Sequence, residues 1–87
     1  MAVISIIVEQ EDAIEELNAM LHEARQYIVG RMGIPYRPKG ISIISIAIDA
    51  PQNTISALSG KIGRLKGVSA KTAYSNVITP AEEGAEQ

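Results

Sequence analysis

Two stretches of the chain carry the same apolar cassette. Val3-Ile-Ser-Ile-Ile-Val-Glu9 returns forty positions later as Ile43-Ile-Ser-Ile-Ala-Ile-Asp49. Such short, Ile/Val-rich runs bounded by polar residues predict buried strands. Each is followed by apolar residues at helical spacing, with Ile14, Leu17, Leu21 and Ala24 after the first and Ile55, Leu58, Ile62 and Leu65 after the second. The doubling predicts two strand–helix–strand units.

The first unit predicts a strand over residues 2–9 and a helix to about Ala24, with Asp12 as its cap and Glu15 completing a capping-box-like pair. Glu11, Glu15 and Glu16 put negative charge at the positive end of that helix. A second strand over residues 27–32 leads into a loop, residues 33–40, that holds two prolines and two glycines. The second unit predicts a strand over 41–49, a helix from Pro51 to about Lys66, a left-handed Gly67 and a last strand over 68–78. With right-handed crossovers, β-α-β-β-α-β gives an α+β, ferredoxin-like sandwich whose two helices lie on one face of a four-stranded antiparallel sheet. Residues 1–78 form the expected domain, and the small, acidic residues 79–87 read as a disordered tail.

The other sheet face is the anomaly. Alternation sets Ile44, Ile46 and Ile48 against Ile41, Ile43, Ser45 and Ala47, and sets Ile4, Ile6 and Val8 against Val3, Ser5 and Ile7. A face open to water carries polar residues at alternate positions, whereas both faces here are apolar or small. A second subunit's sheet is the expected cover, with Ser5, Ser45 and Ala47 permitting close approach, in a dimer or tetramer. Gly60 and Gly63 interrupt the second helix at a cost of about 1 kcal/mol each relative to alanine, and are read with the interface as points of close packing against the sheet or a neighbouring subunit.

Composition narrows the function. An 87-residue chain is one small domain with a thin core of its own. The core is aliphatic, since Phe and Trp are absent and only three tyrosines occur. With a net charge of −2 and few stacking side chains, direct nucleic-acid binding is not expected. The absence of cysteine removes thiol nucleophiles, disulfides and Cys-ligated metals. No run approaches the ~20 apolar residues that span a bilayer, and the apolar start is too short for a signal segment, so a cytoplasmic location without membrane contact is expected.

No Ser-His-Asp order, catalytic carboxylate pair or dinucleotide fingerprint occurs, so the chain reads as a non-enzyme. The lone histidine, His22, reads as a helix-end residue. Glu9, Glu11 and Asp12 form a local carboxylate group suited to a cation or an ammonium, but helix-terminal charge also accounts for them. The stretch from Gly30 to Gly40 gathers Arg31, Tyr36, Arg37 and Lys39, a set able to cradle an anion or a partner's carboxylates, or to act as a structural hairpin. A glycine-rich arginine loop after strand one, as an acylphosphatase would need, is absent, and so are the strand aromatics of RNA-binding members of this architecture.

Tyr27-Ile-Val-Gly-Arg-Met-Gly-Ile-Pro-Tyr36 together with Ile55-Ser-Ala-Leu-Ser-Gly-Lys-Ile-Gly-Arg-Leu-Lys-Gly-Val68 resembles the iron-only hydrogenase system regulator family. The resemblance covers residues 2 to about 78. It implies an ACT-like fold, similar to the effector domain of nickel-responsive repressors, and a regulatory module acting through a small effector or a protein partner. A purely structural oligomeric domain without ligand is the alternative. The repressors' nickel ligands have no counterpart here, where strand three offers Ser42, Ser45 and aliphatics, so neither metal nor cofactor is expected. By the same resemblance, an amino-acid effector would meet Glu9 or Asp12 through its ammonium group.

Overall fold

A computed structural model describes residues 1–75. Strands β1 (Ala2–Val8), β2 (Ile28–Tyr36), β3 (Ile41–Ile48) and β4 (Val68–Tyr74) form one sheet, with helices α1 (Ala13–Glu23) and α2 (Gln52–Gly63) between them in the chain. Spatial order is β2-β3-β1-β4, and every neighbouring pair is antiparallel. This is the expected ferredoxin-like sandwich.

The doubled cassette leaves a measurable signature. In the β1–β3 ladder Ser5 pairs with Ser45, and Val3 pairs with Ala47 while Ile7 pairs with Ile43. Ser5 and Ser45 are also equivalent positions of the repeat, so a pseudo-two-fold axis passes between them. The same operation relates two closing hydrogen bonds, since the Glu9 amide donates to the Gly67 carbonyl at 2.7 Å and the Asp49 amide donates to the Tyr27 carbonyl at 2.9 Å. Each half therefore anchors its outer strand to the end of its central strand in one way.

The core lies between the sheet and the helices. Ile4, Ile6 and Val8 of β1 and Ile44, Ile46 and Ile48 of β3 meet Leu17 and Leu21 of α1 and Ile55, Leu58 and Ile62 of α2, all fully or nearly fully buried. Burying one such aliphatic side chain is worth about 1.5–3 kcal/mol. The helical spacing read from sequence is thus the spacing of the core contacts. Polar bridges fasten both helices to the outer strands: Ser59 to Thr72 at 2.8 Å, Ser56 to Tyr74 at 3.0 Å, and an Arg31 N–H donating to Asn18 Oδ1 at 2.7 Å.

Gly67 is held from two sides. Its φ is +77°, and a Cβ built there would lie 2.5 Å from Gln10 Cγ and 2.9 Å from Gln10 Cβ. The left-handed backbone favours glycine, and the approach of the β1–α1 connection leaves no room for a side chain.

Several boundaries differ from expectation. Strand β2 does not stop at Met32. It continues through Gly33, Ile34 and Pro35 to Tyr36, and the return to β3 is a single 3-10 turn, Arg37–Lys39, closed by a left-handed Gly40. Pro35 is tolerated because β2 is an edge strand, where a missing N–H need not break a ladder. A bulge between Ile28 and Gly30 leaves Val29 as the extra residue. Asp12 occupies the helix cap position without a side-chain hydrogen bond; its backbone is already helical, so the predicted capping box does not form. Helix α2 ends at Gly63 rather than Lys66, and Gly67 follows after a turn. The tail, 79–87, and the end of the expected last strand lie outside the described residues.

Candidate functional site

The sheet face away from the helices is apolar and open. Across β2, β3, β1 and β4 it runs in rows, Ile34–Ile43–Ile7–Ser69, then Met32–Ser45–Ser5–Lys71, then Gly30–Ala47–Val3–Ala73. Val3, Ile7, Ile43, Ile34 and Met32 are 42%, 41%, 39%, 49% and 60% exposed. Ser5, Ser45 and Ala47, predicted as contact points, lie at the centre of this surface and are small. Lys71 is the one charged residue in the three rows.

The bulge at Val29 decides which side of β2 joins this face. By skipping one residue it puts Met32 and Ile34 beside Ser45 and Ile43, while Arg31 and Gly33 fall beside Ile46 and Ile44 on the helix side. There β2 overhangs the helix layer, and its residues are exposed along nearly the whole strand.

Two clefts open between this overhang and α1. The first, about 270 Å³, is lined by Val8, Ser42 and Ile14 with Glu11, Tyr36 and Arg37 at its rim. The second, about 330 Å³, lies at the other end of α1 and includes Arg31 with Arg25. The sequence set is therefore divided: Tyr36 and Arg37 share the first cleft with Glu11, whereas Arg31 belongs to the second. Asp12 lines a separate shallow depression with Gln10 and Lys66. Neither Glu9 nor Lys39 lines any of these three. Glu11 and Arg25 enter because of folding, Glu11 through the turn ahead of α1 and Arg25 through the 3-10 turn Arg25–Tyr27 behind it. Only their charge type is visible in sequence.

Gly60 and Gly63 do not serve close packing within the chain. A Cβ at Gly63 would meet nothing within 4 Å, and one at Gly60 only the Arg64 guanidinium at 3.4 Å. Both lie on the part of α2 turned away from the core. Among the described residues no three His, Asp or Glu side chains converge on a metal-sized space, so Glu9, Glu11 and Asp12 do not gather as a cation cage. No described helix is long and apolar enough to cross a membrane.

A doubled βαβ sandwich of this strand order, with two helices on one face of an antiparallel sheet, defines an α+β domain of the ferredoxin-like class. The family follows from comparison. A family model described as "Iron-only hydrogenase system regulator, putative" (TM1266-like) matches residues 1–72, and the chain belongs to that family. The solved structure of uncharacterized protein TM1266 from Thermotoga maritima is similar at 36% identity and a TM-score of 0.80, covering 83% of this chain and 91% of that one. A formyltetrahydrofolate deformylase from Pseudomonas putida KT2440 shares the fold at 13% identity and a TM-score of 0.62, over 87% of this chain and 29% of that one. A search of curated proteins finds no match.

Proposed function

We propose that this chain is a non-catalytic, ACT-like regulatory module of the cytoplasm that works as a homo-oligomer and regulates a hydrogenase-type system through a small effector or a protein partner. The observation that carries the reading is the open sheet face. Its exposed side chains Val3, Ile7, Met32, Ile34 and Ile43 adjoin one another across three strands, and a contiguous apolar patch of this kind marks an interaction surface. Stacking against a second copy covers it. Control of transcription, on this reading, passes through a partner rather than through direct contact with nucleic acid, since the chain's net charge is −2.

The family description supports a regulatory role, and the dispersal of titratable groups over separate clefts supports the absence of catalysis. The effector's place is the cleft beside Glu11, Tyr36 and Arg37, where opposite charges flank the apolar Val8 and Ile14. Native mass spectrometry of the purified protein tests both parts together. An even oligomer carrying a stoichiometric extra mass is the expected result; a bare monomer at micromolar concentration overturns the reading. A bare oligomer removes a tightly retained effector and leaves a weaker one to be sought by thermal shift, where a ligand at a hundred times its Kd adds about 2.7 kcal/mol.

A further inference from the structure

The groove between the end of α1 and the overhanging β2 holds a group of cations with no partner carboxylate among its lining residues. Its walls are Asn18, Leu21, His22, Arg25, Ile28 and Arg31. Two of these side chains are held in place. An Arg25 Nη1 N–H donates to the His22 carbonyl at 2.8 Å, and an Arg31 Nη2 N–H donates to Asn18 Oδ1 at 2.7 Å. Each guanidinium has five N–H donors, so one such bond fixes its position and leaves further donors for a ligand.

The surroundings reinforce the sign. Residues 25–40 contain Arg25, Arg31, Arg37 and Lys39 and no Asp or Glu. The neighbouring carboxylate in sequence, Glu23, lines the groove on the other flank of α1, together with Lys61. Beneath the cations the floor is apolar, with Leu21 buried and Ile28 partly buried against the core.

We infer that the cleft bounded by Arg25 and Arg31 binds a small oxoanion ligand, a phosphate or carboxylate group carried on a short apolar body that rests on Leu21 and Ile28. Two guanidinium groups offering N–H pairs match the planar or tetrahedral oxygen arrays of such groups. The volume of about 330 Å³ falls in the range of small-molecule pockets and admits a metabolite of a few heavy atoms. This site shares no lining residue with the Glu11–Arg37 cleft.

The test follows the arginine side-chain Nε–H resonances by ¹⁵N NMR while the full-length protein is titrated with sodium phosphate and, separately, with sodium glutarate, ionic strength being held constant with sodium chloride. Arg25 and Arg31 are expected to shift together along one saturating curve with at least one of the two anions, while Arg37 and Arg64 stay nearly still. Saturation by phosphate alone assigns a phosphoryl ligand, and saturation by glutarate assigns a carboxylate. The double variant R25Q/R31Q should weaken that binding by at least roughly tenfold. Asn18→Ala, which releases Arg31 without removing a charge, should weaken it by a smaller factor. Uniform, non-saturating shifts at all arginines with both anions, or unchanged affinity in a folded R25Q/R31Q protein, would overturn the assignment.

Discussion

Ile46 is 0% exposed and Ile43, three positions earlier on the same strand, is 39% exposed. The contrast extends over the sheet. Ile4, Ile6 and Val8 are sealed beneath the helices, while Val3 and Ile7 of the same strand face outward. On the helix side chemistry and surroundings agree. On the open side aliphatic chemistry persists where the lone subunit offers only water, and this alternation of exposure without alternation of polarity is what the proposed stacking of a second copy accounts for.

Charge insertion should separate the two faces most forcefully. Ile46→Asp buries a carboxylate without a partner and should cost more than about 4 kcal/mol, abolishing the cooperative melt in circular dichroism. Ile43→Asp should leave the melt recognisable and instead raise the dissociation constant of the oligomer by at least roughly a hundredfold, read by sedimentation velocity. If both variants unfold alike, the two faces do not differ in the way described.

Truncation sharpens the same contrast on a smaller scale. Ile46→Ala should destabilise by about 2–5 kcal/mol in urea titration, because a methyl-lined gap is left in a packed core. For the dilute, dissociated subunit, Ile43→Ala should cost less than about 1 kcal/mol. At the rim of the covered face, Ser59→Ala removes the partner of Thr72 and should cost about 1 kcal/mol. The smallest effect belongs to Lys71, the one charge in the open rows. Lys71→Ala spares a charged group from desolvation on stacking and should tighten association by roughly threefold.

Much of this organisation was legible in the chain. The repeat of Val3–Glu9 in Ile43–Asp49 gave the two central strands, and because Ser5 and Ser45 are both repeat-equivalent and paired, the cassette also marks the pseudo-two-fold axis. The 3-4-3 steps of the helices located Leu17, Leu21, Leu58 and Ile62 in the core. What failed was local chemistry read without its neighbours. Gly33 and Pro35 look like breakers, yet an edge strand accepts both, so β2 runs four residues further than expected, to Tyr36.

The candidate site was legible in kind and not in arrangement. A cationic stretch from Arg31 to Lys39 is plain in sequence, but a bulge at Val29 turns Arg31 toward α1, and the strand length then separates it from Arg37. Arg25, in a short turn behind α1, joins Arg31 only through the packing of that helix on the sheet. Neither a bulge nor a helix–strand crossing has a marker in this sequence as strong as the apolar period.

Stacking through the open face is tested most directly by sedimentation velocity of the wild-type protein and Ile43→Asp over a common concentration range, with circular dichroism on the same samples. An even-numbered oligomer is expected for the wild type and a monomer for the variant, with superimposable spectra. A wild-type protein that stays monomeric throughout the micromolar range, with Val3, Ile7, Ile43 and Met32 exposed to water, would contradict it.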